Sequence, residues 1–220
     1  MNCIGIISYF PDNIRVERRQ RLKSLVSQLN KYFKLPIMII AQNWTNEDIE
    51  SLKGFTNQQI FIYMYPKLGI TNARIILREY FLKSDYDYLI MFDDDMELVD
   101  NEETVKAWLE QITDKDFYYT PTFLTNFCAI SKEAFKNVNY DAEVEAIKGN
   151  GFEDWIFVER CLNKLNCERF NTYLPARTRQ GFLNDDLTTW DPHDPKLKRI
   201  NEINSFQKIQ RIRAGQDGYN

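Results

Sequence analysis

Three adjacent carboxylates, Asp93-Asp94-Asp95, are the residues of this chain best suited to chemistry. Like charges a few ångströms apart repel, so such a triplet is costly unless something neutralises it. A divalent cation does so economically. Mg²⁺ and Mn²⁺ favour hard oxygen ligands and commonly bind through one or two carboxylates plus substrate phosphates. In an extended segment Asp93 and Asp95 share a side, where one ion can reach both. The bland alternative is a solvated acidic turn in which Asp94 or Asp95 caps a turn or helix. A second acidic pair, Glu153-Asp154, follows Gly149-Asn150-Gly151 at the start of a helical pattern. Helix capping and the macrodipole favour acids there without any function. The one histidine, His193, sits in a loop-like stretch, Trp190-Asp191-Pro192-His193-Asp194-Pro195-Lys196.

These residues need elements to hold them. Continuous apolar runs at Cys3–Ile7, Ile37–Ala41, Ile60–Tyr65 and Tyr88–Phe92 read as buried strands. Leu22, Leu25, Val26, Leu29 and Phe33 recur at helical spacing, which predicts a helix over 15–33. Ile70, Ala73, Leu77 and Tyr80 predict a second. Strands alternating with helices in this way imply an α/β fold with a mostly parallel sheet covered on both faces. In such sheets ligands bind at the carboxyl ends of the strands, and the triplet directly follows the fourth. Further strands are expected at 117–120, 127–130 and around 170–174. Helices are expected near 132–136 and after Gly151.

Leu89-Ile90-Met91-Phe92-Asp93-Asp94-Asp95 resembles the Asp-x-Asp segment of glycosyltransferases with the single-domain nucleotide-sugar fold called GT-A, and is most similar to the large inverting family 2 type. The Gly-x-x-x-Ala-Arg-like stretch Gly69-Ile70-Thr71-Asn72-Ala73-Arg74 extends the likeness. The resemblance implies one Rossmann-like domain over 1–220. Its nucleotide-sugar half would be 1–95 and its acceptor half 96–190, with a C-terminal loop, antiparallel extension and basic tail over 191–220. It further implies a Mn²⁺ or Mg²⁺ cofactor, a nucleotide-sugar donor such as a UDP-sugar, and a saccharide or lipid-linked acceptor. Asp93 would face ribose and metal, Asp95 would be a direct metal ligand, and Asp94 would sit among the donor contacts. Ser8 and Tyr9 fall where the family holds the nucleotide, and Arg74 belongs to the donor side. Asp154 corresponds to the base of the family's Glu-Asp pair, with Glu153 beside it. His193 would be a third metal ligand, and Lys196 would neutralise the leaving diphosphate. The family's acid after the second strand is missing: Ala41 is followed by Gln42-Asn43-Trp44-Thr45. Trp44 is left either to stack on a base or to plug the core.

Charge is uneven along the chain, with a net of -4. The densest acidic block, twelve acids against two lysines over 85–116, encloses the triplet. A nucleic-acid partner is not expected of such a surface. Arg15, Arg18 and Arg19, at the start of the first helix, could approach donor phosphates. The basic tail, 196–213, could rest on an anionic membrane. No run approaches the ~20 apolar residues of a membrane span. The N-terminus lacks the regions of a signal peptide, which predicts a cytoplasmic protein, peripheral to the membrane at most. The four cysteines form no Cys-x-x-Cys pair and are expected to be reduced and structural. Three other readings stay open: a retaining transferase of the same fold, a sugar nucleotidyltransferase, and a non-enzymatic carbohydrate- or metal-binding module. Nucleotidyltransferases typically carry a glycine-rich loop after the first strand, and Ser8-Tyr9-Phe10-Pro11-Asp12-Asn13 has no glycine.

Overall fold

The computed structural model describes residues 1–52, 59–98, 102–119, 128–140, 153–170, 176–178 and 207–215. Four strands form the centre of the sheet: β1 (Asn2–Tyr9), β2 (Ile37–Gln42), β3 (Ile60–Tyr65) and β4 (Tyr88–Asp93). They are parallel, in the order β3-β2-β1-β4. Beyond β4 the sheet continues through β7 (Cys128–Ser131), β6 (Phe117–Tyr119) and β8 (Cys167–Arg169). β7 is antiparallel to both β4 and β6, and β8 is parallel to β6. A two-stranded ribbon joins β5 (Met96–Leu98) to β9 (Ala176–Thr178). The last strand of the main sheet therefore precedes the expected 170–174 run, most of which lies outside the described residues.

Burial on both faces explains the continuous apolar strands. Along β1, β2 and β4 alternate residues feed two separate cores. Ile4, Ile6, Ile37, Ile39, Ile90 and Phe92 face one side, where α1 (Arg15–Tyr32) lays down Leu22, Leu25, Val26 and Leu29. Trp108 of α4 (Glu102–Leu109) closes the same core. Cys3, Met38, Ile40, Leu89 and Met91 face the other side, against Ala73, Leu77 and Phe81 of α3 (Ile70–Lys83). That layer is completed by Phe135 of α5 (Lys132–Asn137) and by Phe157 and Cys161 of α6 (Glu153–Lys164). The result is the three-layer α/β arrangement that the strand and helix spacing predicts.

Gly5 sets how closely α3 approaches the sheet, since a Cβ there would lie 2.8 Å from Leu77 Cδ2 and 2.9 Å from Leu89 Cδ1. A short helix, α2 (Asn46–Glu50), has no apolar periodicity to announce it. It exists because Thr45 and Asp48 form a reciprocal capping box. Residues 207–213 form a terminal helix that seats Ile209 and Ile212 on Ile156 of α6. Among the described residues no helix is long and apolar enough to cross a membrane. The four cysteines are free, three of them buried.

Strand order decides where a ligand goes. β1 is flanked by β2 on one side and β4 on the other, so the connections leave β1 and β4 in opposite directions and open a crevice at their carboxyl ends. Asp93, the last residue of β4, stands beside Ile7 of β1, and Gln42, the last of β2, stands beside Tyr9.

Candidate functional site

The crevice is a cleft of about 220 Å³ at these strand ends. β4 and the turn after it supply Asp93, Asp94 and Asp95; β1 supplies Ile7 and Tyr9; β2 supplies Gln42. Lys67 and Gly69, between β3 and α3, form another wall with Ile70, and Arg18 reaches in from α1.

The triplet is not extended throughout. β4 ends at Asp93, and the chain turns at Asp94-Asp95 before entering β5. The turn, not strand alternation, brings Asp95 back to the cleft beside Asp93. Asp94 is the member turned inward. It accepts a hydrogen bond from Ser8 Oγ at 2.7 Å and pairs with Arg18 Nη1 at 3.1 Å. Burial pushes its carboxyl above the ordinary carboxylate range, and Arg18 and Ser8 pull it only part of the way back. Asp95 is pushed up to about 6, first by burial and then by the negative charge of Asp93. Its Oδ1 is buried with no hydrogen-bond donor among the described residues.

An orphaned buried carboxylate oxygen beside a second carboxylate fits a hard divalent cation. Among the described residues no three His, Cys, Asp or Glu side chains converge on one point. The donor set therefore suits Mg²⁺ or Mn²⁺, which take remaining ligands from water and phosphate, better than a cation needing an all-protein cage.

Behind Asp93 lies Arg74, only 1% exposed. Its guanidinium is 3.6 Å from Asp93 Oδ1, forms an ion pair with Asp154, and rests over the ring of Tyr140 at 5.6 Å from the centroid. One buried cation thus ties the end of β4 to the first turn of α6. Arg74 does not line the cleft wall; it backs it. Glu153 opens α6, one residue before Asp154.

Other expected residues fall elsewhere. Ser8 is buried and serves Asp94, whereas Tyr9 lines the cleft with Lys67 Nζ 4.9 Å from its ring centroid. Arg15 turns away from the cleft to Asp12 at 2.6 Å, Asp48 at 2.7 Å and the carbonyl of Asn43 at 2.8 Å. Arg19 joins it on Asp48. At helical spacing only Arg18 of the three arginines faces the triplet. Trp44 stacks on Phe10, with centroids 4.6 Å apart, and plugs the core. His193 and Lys196 lie outside the described residues.

Sequence reasoning passed over Gln42 and Lys67. The available signal was positional: Gln42 is the polar residue that ends an otherwise apolar parallel strand, at the edge where such sheets bind ligands.

No protein-family model matches the sequence, and no curated protein resembles it. Solved structures do resemble it. Residues 1–349 of S. aureus TarS superpose with a TM-score of 0.58 at 12% identity over 80% of this chain, which spans 59% of that one. A putative nucleotide-diphospho-sugar transferase from Desulfovibrio desulfuricans G20 gives 0.56 at 14% identity, covering 94% of this chain and 97% of that one. Glucosyl-3-phosphoglycerate synthase from Mycobacterium tuberculosis, in complex with Mn²⁺, UDP and phosphoglyceric acid, gives 0.59 at 8% identity, over all of this chain and 79% of that one. This is the GT-A fold. At these identities the likeness is one of fold, and chemistry must be argued from the cleft itself. The cleft lies at the carboxyl edge of the parallel strands, with the triplet closing the end of β4.

Proposed function

We propose that this protein is a metal-dependent, inverting glycosyltransferase that moves a sugar from a nucleotide diphosphate donor, a UDP-sugar, to a saccharide or lipid-linked acceptor. One observation carries the reading: in a GT-A fold, Asp93 and Asp95 both line the strand-end cleft, Asp95 has a buried Oδ1 with no donor among the described residues, and Asp154 shares the buried arginine of Asp93. The Mn²⁺ and UDP bound by the mycobacterial synthase support the ligand classes.

Asp93 and Asp95 would hold the cation in part. Bound there, it would supply positive charge to a leaving diphosphate. The residues do the remaining work. Arg18 and Lys67 put cationic side chains into the same cleft. Asp154 takes the proton of the acceptor hydroxyl as its oxygen bonds to the sugar's anomeric carbon. The bond from that carbon to the diphosphate breaks, and its electron pair leaves with the nucleotide. Arg74 pairs with the Asp154 carboxylate and holds it in place. Asp94, locked by Ser8 and Arg18, sets the turn that brings its two neighbours together. Residues 96–190 are assigned to the acceptor.

The deciding experiment is a hydrolysis screen over nucleotide-sugars with Mn²⁺. One donor should be turned over, and a chelator should abolish that turnover. A protein that neither binds nor hydrolyses any nucleotide-sugar would overturn the proposal, and analysis of the product anomer separates inversion from retention.

A further inference from the structure

Arg74 serves two carboxylates with one charge. Its guanidinium lies 3.6 Å from Asp93 Oδ1 and is ion-paired with Asp154. The arginine side chain is 1% exposed, whereas those of Asp93 and Asp154 are 28% and 15% exposed. Each carboxylate can therefore be reached from solvent, and the cation between them cannot. Tyr140 blocks its retreat. The ring lies 5.6 Å from the guanidinium carbon, stacks on Phe157 of α6 at 4.0 Å, and donates its hydroxyl to Met91 Sδ at 3.4 Å.

Water screens little at a site this dry. A guanidinium carries its N–H donors in a fixed fork, so two acids can divide it, and what one gives up the other gains. The two acids have different tasks in the reading above. Asp93, at the end of β4, faces a cation and its diphosphate; Asp154, in the first turn of α6, faces the acceptor hydroxyl. Arg74 touches both.

We infer that Arg74 is a positioning residue that couples the two: the charge on Asp154 sets how much of the guanidinium Asp93 receives, and so how firmly Asp93 holds a divalent cation. This rests on the nucleotide-sugar reading above. While Asp154 is ionised, Arg74 is shared and the Asp93 carboxylate is left partly free for a cation. Once Asp154 has taken the proton of the acceptor hydroxyl it is neutral, Arg74 turns to Asp93, and the hold of Asp93 on a cation weakens. That weakening falls at the stage when the diphosphate has to leave. By linkage, a cation on Asp93 returns Arg74 to Asp154 to the same extent.

The test is Mn²⁺ affinity, not turnover. Asp154→Asn fixes the neutral state and keeps the shape of the side chain. Calorimetric titration of Mn²⁺ into this variant with excess UDP should give a half-saturation about fivefold or more above that of the wild type, the lower end of coupling between sites. Saturating Mn²⁺ hides the loss, so KM for the donor measured there stays as it was. A double-mutant cycle separates Arg74 from the direct effect of one lost charge: on an Arg74→Gln background the shift should shrink to less than half its size. If Arg74→Gln gives no cooperative melt, Arg74→Lys takes its place, since an ammonium keeps the charge but loses the fork. An unchanged half-saturation in Asp154→Asn overturns the coupling, as does a shift that keeps more than half its size once Arg74 is replaced. Wild-type protein that takes up no Mn²⁺ with UDP overturns the metal site itself, so the two failures are distinct.

Discussion

Each aspartate of the triplet has its own surroundings, and the surroundings separate their roles. Asp94 is spoken for by Ser8 and Arg18, whereas Asp95 keeps a buried oxygen with no donor among the described residues. Asp95→Ala should therefore abolish the rise in melting temperature that Mn²⁺ with UDP gives the wild type, while leaving the metal-free protein at least as stable, because an unsatisfied acceptor has been removed. Thermal melts with and without Mn²⁺ check both halves. Asp154 is assigned to proton transfer and not to donor binding. Asp154→Asn should lower kcat by about 10²–10⁴-fold with little change in KM for the donor. Steady-state kinetics on the donor found by the hydrolysis screen measure the split.

Individual elements owe their positions to a few close contacts. α3 lies tight on β1 because Gly5 has no Cβ, and Gly5→Ala would press against the methyl ends of Leu77 and Leu89. Those ends can rotate, so the expected loss is about 1–2 kcal/mol in urea unfolding, with the fold kept. The corner between β2 and α2 depends on Asp48, whose buried carboxylate meets Arg15, Arg19 and the Thr45 backbone and hydroxyl. Burial alone would raise its pKa, but the Thr45 and Arg bonds outweigh it and hold the group below the ordinary value. The sign follows: the unfolded chain takes up this proton first as pH falls. The contribution is therefore fully present above the unfolded value, about 3.9, and is lost below it. Asp48→Asn should cost about 2–3 kcal/mol at pH 7. The gap between variant and wild type should narrow as pH falls below about 4, which denaturant melts at pH 7 and pH 3.5 would register.

Taken as a whole, the molecule closes on itself through its C-terminal end. The terminal helix, residues 207–213, buries Ile209 and Ile212 against Ile156 and sets Arg213 on Glu159 of α6. The apolar side chains of this part of the basic tail are thus turned to the protein. α6, on which this helix docks, also carries Asp154. Ile212→Ala should cost about 2 kcal/mol of stability. Turnover measured well below the melting temperature should stay near that of the wild type, because Ile212 packs on Ile156 and is not one of the residues that line the cleft.

What the sequence determines by itself is the set of elements and their layer arrangement. Strand runs of the β1, β2 and β4 kind and the helical spacing of α1 and α3 are local patterns, set by which residues must be dry, and period alone reveals them. The place of Asp93 at the end of a parallel strand follows from the same patterns. Tertiary structure alone decides partners. Ser8 reaches Asp94 across 86 positions of sequence, and Arg74 meets Asp154, because β1, β4, α3 and α6 converge. No window of sequence contains that convergence. It also decides that Arg18 faces the cleft while Arg15 turns to Asp48, that Trp44 is core, and that the Gln42 side chain accepts from the Leu68 and Gly69 backbone. Each of these depends on which groups lie opposite in space, and hydrogen-bonding direction is settled only once both partners are in place.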